Sequence, residues 1–358
     1  MRGTVVGLVA ILAVSVLASG AFAADAAEQS FYEKQLDSNG LQVYGGIKEA
    51  FEYKNTIEVS VHFEEPILFS TEAAATEHGR QTTLDAIAAL YLTDPMMVHL
   101  WDLPVSKPDV KVTVTEATVS DNKSSSVMYK ASSVSFSLTV PYEMEDDSST
   151  TTNELQDRMN AVKNAAKNIT VTGTDTASKV KSIAKALGAR AEFQETEAGK
   201  VSNLYDCLVD GKSMSAGFAA AFNLLCQYNG ISSVACTGTL YDVDADPQQW
   251  IWNMVGLDGK YYLVDATVYD RGWGGCIMAG LVSDIHKSNV YLSVATSYLE
   301  TGSLLDFSNL DKPDLSRDEY EYPDERPFYE KYAGYIIMAL VAAVIIGFMA
   351  YAARTGNI

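Results

Sequence analysis

The reactive side-chain types of this chain gather between Asn203 and Asp270, where Ser215, Trp250, Trp252 and Asp265 fall into a pattern that could bring them together. Ser215 stands in Gly211-Lys-Ser-Met-Ser215-Ala-Gly-Phe218, Trp250 opens Trp250-Ile-Trp-Asn253, and Asp265 lies in Tyr262-Leu-Val-Asp265-Ala-Thr267. A serine hydroxyl attacks a carbonyl only with a base in hydrogen-bond reach, because its alkoxide is otherwise too costly. An indole has one N–H donor and no site for a proton, so neither tryptophan is such a base. Of the four histidines, His62, His78 and His99 precede the stretch and His286 follows it, which leaves His286 as the candidate base for a residual serine chemistry.

The elements that must position these groups can be read from spacing. From Ala216 to Tyr228 the apolar residues Phe218, Phe222, Leu225 and Cys226 recur at helical intervals, Ser213 or Ser215 stands where an N-cap belongs, and Gly230 closes the far end. The helix therefore carries a hydroxyl at its mouth. Leu257-Asp258-Gly259-Lys260 is a two-residue hairpin signal, since Asp-Gly readily supplies the positive φ that both central positions require. Counting back from that turn sets Trp252 opposite Asp265 and Trp250 opposite Thr267. Side chains alternate along a strand, so Trp250, Trp252 and Met254 share a face with Leu263, Asp265 and Thr267, and Trp250 lies diagonal to Asp265. One carboxylate and two indoles crowd that face.

This layout resembles the transglutaminase-like superfamily of papain-type cysteine transferases and proteases, over most of the segment between the two hydrophobic ends. In that family a motif like Gly-Lys-x-x-Cys-x-Gly-Tyr starts the central helix, one like His-Ala-Trp-Asn starts the hairpin, and an Asp follows in Tyr-x-Val-Asp-x-Thr. The resemblance places the nucleophile position on Ser215, the general-base position on Trp250 and the orienting acid on Asp265. Gly211, Gly217, Trp252, Asn253, Asp258, Gly259 and Thr267 match as scaffold, with Trp252, Asn253 and Gly217 bordering the cleft. Two of three catalytic positions depart from the pattern. A cysteine at a helix start is held as thiolate by the helix dipole and a neighbouring imidazolium, and a serine hydroxyl gains little from either. The resemblance thus implies a papain-like fold whose chemistry is lost. Three plain structural roles compete with any catalytic one: Ser215 as an N-cap, Trp250 as filler of the former site, and Asp265 as acceptor from an indole or a backbone N–H.

The two ends of the chain are hydrophobic. Met1-Arg2, an apolar run from Val5 to Leu17 and Ala21-Phe22-Ala23 read as a secretory signal peptide over residues 1–23, cleaved after Ala23. Residues 332–353 hold no charged side chain and, at about 1.5 Å per residue, are long enough to cross a hydrocarbon layer of about 30 Å. Lys331 and Arg354 bracket them, and Tyr332, Tyr335 and Tyr351 suit the interfaces. The expected topology is a single-pass protein of the cell membrane, with the bulk of the chain outside and residues 354–358 inside. A formal charge of -20 argues against a nucleic-acid partner without identifying another, while the cleft that the resemblance implies suggests a peptide, a protein or a cell-wall polymer as the ligand. Cys207, Cys226, Cys236 and Cys276 show neither Cys-x-x-Cys spacing nor a nearby histidine pair, so neither a metal nor a cofactor is expected. They could form up to two disulfides outside the membrane, while Cys226 and Cys236 read equally well as small core residues.

Ahead of the core stretch, residues 24–145 read as an α+β region. It holds a helical pattern from Gln29 to Tyr53 broken at Ser38-Asn39-Gly40, a strand Ile57–Phe63, a helix Thr83–Leu92 stopped by Asp94-Pro95, and strands Val110–Val114 and Val134–Val140 paired across a serine-rich turn at residues 121–126. His99 falls in an apolar segment there. The acidic, Ser/Thr-rich run Glu143–Asn153 marks the boundary to a domain over residues 150–305. Two amphipathic helices open that domain, one on Leu155, Met159, Val162 and Ala166, the other on Val180, Ile183, Ala184 and Leu187 and ended by Gly188. Asp270–Gly275 is a glycine-rich turn without a phosphate-binding pattern, and Tyr291–Ala295 is a candidate last strand. Residues 306–331, acidic and with three prolines, read as an extended stalk. Asn122-Lys-Ser and Asn168-Ile-Thr are glycosylation sequons by pattern. The expected fold class is α+β: a papain-like transglutaminase core with an N-terminal α+β region and a C-terminal transmembrane helix. The expected function is that of a pseudoenzyme that binds without turnover, with a serine-based hydrolase or acyltransferase and a purely structural envelope protein as the alternatives.

Overall fold

The structure is a computed structural model that describes residues 30–52, 54, 56–97, 108–120, 125–139, 151–194, 203–240, 248–269, 291–292, 307–316, 320 and 332–355. The expected signal peptide of residues 1–23, His99, Asn122, the glycine-rich segment Asp270–Gly275, Cys276 and His286 lie outside the described residues.

The N-terminal region begins with α1, Ser38–Ala50. Ser38-Asn39-Gly40 does not break this helix, as its turn-forming residues suggested, but forms its first turn. Asp37 is the N-cap and accepts from the Gly40 N–H at 2.7 Å, and first-turn N–H groups need no acceptor within the helix. Strands β1 (Thr56–His62) and β2 (Leu68–Phe69) follow, then α2 (Glu72–Thr93). This helix starts eleven residues before the expected Thr83, because Thr71 caps it from a stretch too polar to show a periodicity. It stops where Asp94-Pro95 predicts. Strands β3 (Lys111–Ser120) and β4 (Ser125–Thr139) pair antiparallel, and β4 pairs with β1 and β2 along its other edge. The alternation read in the sequence thus understated both strands, whose outer ends are solvated and rich in Ser and Thr.

The second half opens with α3 (Thr151–Lys167) and α4 (Thr176–Arg190). A reciprocal pair between Asp175 and Ser178 caps α4, which runs through Gly188 to Arg190 and does not end there. A glycine inside a helix costs about 1 kcal/mol, less than burying Leu187 returns. Strands β5 (Glu192–Phe193) and β6 (Lys212–Ser213) pair parallel and flank a π-helical turn, Asp206–Asp210. Then come α5 (Ser215–Tyr228) and an antiparallel sheet in the order β10-β7-β8-β9, built from β7 (Ser233–Leu240), β8 (Gln248–Leu257), β9 (Lys260–Val264) and β10 (Tyr291–Leu292). Asp258 and Gly259 take φ of 51° and 76°, the turn that Asp-Gly predicts, and Leu257 pairs with Lys260.

Each face of this sheet meets a different partner. Val255, Tyr262 and Val264 join the core of α3, α4 and α5. Trp250, Trp252, Met254 and Leu263 join that of the N-terminal region, with Tyr32, Ile87 and Leu90. The N-terminal region therefore seals the indole face. Phe307 and Leu310 complete that core, Gln35 and Asp311 exchange two hydrogen bonds of 2.8 Å, and the Ser316 N–H donates to the Tyr261 carbonyl at 2.8 Å. Residues 307–316 are thus a strap across the core and not the start of a stalk. Their acids and prolines hide two buried apolar anchors. The C-terminal helix α6, Ala333–Thr355, is long and apolar enough to cross a membrane, and none of its apolar window is buried against the rest of the chain. Cys207, Cys226 and Cys236 are free and buried, the core reading of the two alternatives for Cys226 and Cys236.

Candidate functional site

Ser215, Trp250 and Asp265 meet where the start of α5 abuts β8 and the end of β9. Ser215 is the first residue of α5 and not its cap. Met214 holds the N-cap position with extended backbone and no side-chain bond, since the backbone pairing of β6 runs up to Ser213. The Ser215 hydroxyl oxygen instead lies 3.4 Å from the Ile251 N–H, facing β8, and the residue is only 5% exposed.

Trp250 is 0% exposed and its Nε1–H donates to Asp265 Oδ2 at 2.9 Å. This is the diagonal contact that the hairpin register predicts. The ladder itself ends earlier than that register implies, at Asn253 and Val264, because the chain turns at Asp265 into a 3-10 turn over Ala266–Tyr269. The turn gives Asp265 a second set of donors. Its Oδ1 accepts from the Thr267 N–H at 2.9 Å and from the Thr267 hydroxyl at 2.7 Å. A carboxylate that is 1% exposed is held by three donors. Trp252 and Asn253 are buried as well. Asn253 Nδ2 donates to the Ala219 carbonyl at 3.0 Å and to Asn223 Oδ1 at 2.9 Å, which fastens β8 to α5. Gly217 lies in the buried first turn of α5.

Two residues of this arrangement escaped the sequence reading. Phe193 on β5 packs against both Trp250 and Phe218, at ring-centroid distances of 5.3 and 6.4 Å. It sits in a two-residue strand that no periodicity marks. Asn223 accepts from Asn253 and from the Ser233 hydroxyl at 2.8 Å, and a lone carboxamide among Phe222, Leu224 and Leu225 was a usable signal. Beside the Ser215 position a small recess of about 20 Å³ lies along α5, lined by Ala216, Ala220, Asn223, Ile251, Asn203 and Tyr91 among others. The cluster is thus closed at Trp250, with only this small recess beside it.

Chemically the cluster supplies a hydroxyl, an indole N–H and a carboxylate already saturated by donors. No base stands between Ser215 and Asp265 among the described residues, and none of their groups of Asp, Glu, His and Cys is suited to a metal ion.

Residues 163–266 match the transglutaminase-like superfamily core. The matched span begins within α3 and ends one residue beyond Asp265, so it contains all three positions. The solved structures to which the chain is similar include a transglutaminase, 14% identical over 44% of this chain and 44% of that one, with a TM-score of 0.27. A candidate cysteine protease from Cytophaga hutchinsonii is 17% identical over 51% of this chain and 72% of its own, with a TM-score of 0.25. A candidate protease from Parabacteroides distasonis is 11% identical over 44% and 41%, with a TM-score of 0.22. The chain spans less than half the length of the transglutaminase it matches. Among curated proteins none matches it. The fold is α+β with a transglutaminase-like core.

Proposed function

We propose that this chain is a membrane-anchored extracellular pseudoenzyme that binds a peptide or a cell-surface polymer beside the former active site without turning it over. The observation that carries the reading is the 2.9 Å bond from Trp250 Nε1 to Asp265 Oδ2 in a fully buried setting. The general-base position of the resemblance is occupied by an indole donor that cannot accept a proton, and Ser215 faces a backbone N–H rather than a base. In this reading the ligand makes contact at the small recess along α5 next to Trp250 and Asp265. Anchoring rests on the exposed apolar helix α6 and on the signal pattern of residues 1–23, and the charge of -20 excludes nucleic acid from the partners considered. In this reading residues 24–145 support a domain over 150–305, residues 332–353 span the bilayer and residues 354–358 lie in the cytoplasm.

The test restores the missing pair in the full chain as Ser215→Cys with Trp250→His, and measures thiol-probe labelling together with amine transfer and peptide hydrolysis. Labelling and turnover confined to the revertant support the reading, because the imidazole then meets Asp265 in the place of the indole. Turnover by the unaltered chain, abolished in Ser215→Ala, would overturn it.

A further inference from the structure

A second cleft shares no lining residue with the recess along α5, and at about 140 Å³ it is far larger. It is lined by the residues leading into α1, by α2 and by the strap. Its rim is exposed at Gln35, Asp37 and Asn309, while Thr82 of α2 lines it from a buried position, 7% exposed. Among the described residues the Thr82 hydroxyl has no hydrogen-bond partner, whereas that of its neighbour Thr83 donates to the Gly79 carbonyl at 2.8 Å. A buried hydroxyl without a partner is costly, so the cleft holds a polar atom that a ligand would satisfy. Two carboxylates line the same space. Asp37 Oδ1 accepts from the Gly40 N–H at 2.7 Å while its Oδ2 lies 3.7 Å from His78 Nε2, and Asp85 Oδ1 accepts from Gln81 Nε2 and Asn309 Nδ2 at 2.8 and 3.1 Å. No lysine or arginine lines the cleft, so in a chain of net charge -20 it favours a cation. A bare metal ion suits it poorly. Calcium takes about six to eight oxygens at about 2.3–2.6 Å, and no group of three or more Asp, Glu, His or Cys among the described residues is fit to hold a metal ion. An alkylammonium suits it better, with three N–H donors for the two carboxylates and the hydroxyl, and a carbon chain for Leu36 and Leu310 in the wall.

We infer that this cleft binds the protonated amine of an alkyl chain, as carried by a lysine side chain or by a free alkylamine. The ammonium donates to the carboxylates of Asp37 and Asp85 and to the Thr82 oxygen, and the methylenes lie along Leu36 and Leu310. Asn309 and Leu310 belong to the strap and Asp37 caps α1, so the bound amine ties the strap to both helices and raises the unfolding temperature. This inference is independent of the reading at Ser215.

The experiment titrates the full chain, solubilised in detergent and at matched ionic strength, with n-butylammonium, tetramethylammonium and calcium chlorides and with a lysine tripeptide blocked at both ends. Saturation-transfer NMR follows the organic cations and thermal unfolding follows all four. The expected result is saturation of the butylammonium methylenes and a raised unfolding midpoint, with neither from tetramethylammonium, which has the charge but no N–H donor. Binding of the tripeptide as well assigns the amine to a polypeptide, and butylammonium without the tripeptide assigns it to a free amine. Asp85→Asn and Thr82→Val each weaken butylammonium binding by about tenfold, and Asp37→Asn does the same while keeping a residue that caps α1. Thr82→Val keeps the shape of the side chain and removes only the hydroxyl, so the test stays decisive if Asp85→Asn fails to fold. Equal binding of tetramethylammonium, displacement of the amine by calcium, or unchanged affinity in Thr82→Val refutes the ammonium site, as does the absence of saturation from both amines.

Discussion

Trp250→Phe removes one hydrogen bond from the cluster of Ser215, Trp250 and Asp265 and little else. The phenyl ring keeps the contact with Phe193 and most of the buried area, but the Nε1–H that reaches Asp265 Oδ2 at 2.9 Å is gone. A hydrogen bond to a charged group is worth about 1.5–3 kcal/mol. The smaller ring leaves a void next to a residue that is 0% exposed, which adds roughly 1 kcal/mol. The expected loss is about 3 kcal/mol of unfolding free energy, read as a lower urea midpoint of the detergent-solubilised chain by far-UV circular dichroism. A double-mutant cycle with Asp265→Ala separates the bond from the void, because the void is common to both backgrounds. Asp265→Ala alone costs more, since it strands the Trp250 N–H and both Thr267 donors. A coupling energy of about 1.5 kcal/mol or more is expected between the two positions. A value below about 0.5 kcal/mol would refute the argument that the indole holds the acid as a structural acceptor.

Three further outcomes follow from the same geometry. Gly259→Ala places a Cβ at φ 76° in the β8–β9 turn and lowers stability by about 1 kcal/mol, whereas a neutral result in thermal denaturation would mean that the turn relaxes. Burial pushes the Cys226 and Cys236 thiols up to about 12. Unfolded thiols lose their protons from about pH 8.5, the native state then binds more protons than the unfolded one, and stability falls as pH rises from about 9 towards 12. Cys226→Ala therefore flattens the pH dependence of the unfolding free energy in that window, and an unchanged slope would show that the native thiol is solvated. Phe307→Ala empties a site that is 1% exposed under the strap and costs about 3–5 kcal/mol, where a solvated stalk would lose nothing measurable by urea titration.

The core was legible because local chemistry dictated it. Asp258-Gly259 admits few turns, and from that turn alone the register, the shared face and the Trp250–Asp265 contact follow. The apolar spacing of Phe218, Phe222 and Leu225 likewise sets the buried side of α5. Long-range terms hid the rest. The first half of α2 and the outer part of β3 are polar on every face, so pattern gives no sign of them until a cap or a partner strand is seen. Phe193 reaches the site only because β5 pairs with β6, a parallel contact between residues nineteen or more apart in sequence. The strap misled for the opposite reason. Pro313, Asp311 and Asp314 carry the composition of a solvated linker, yet Phe307 and Leu310 anchor it in the core and the bonds of Asp311 and Ser316 fasten it.

Asp265 stands at the position that the resemblance gives to an orienting acid, which looks at first like a trace of activity. The geometry gives it a different cause. A buried indole N–H is stabilised by an acceptor, and Asp265 Oδ2 supplies one at 2.9 Å. A buried carboxylate in turn needs donors, and Trp250 with Thr267 supplies three. Each group is satisfied by the other. Once an indole stands at Trp250, the acid at Asp265 is retained by hydrogen-bond necessity, and the same argument predicts that restoring a base at Trp250 would free nothing unless its N–H replaces that of the indole. Imidazole meets the condition, since one ring nitrogen can donate to Asp265 while the other accepts a proton from the residue at 215.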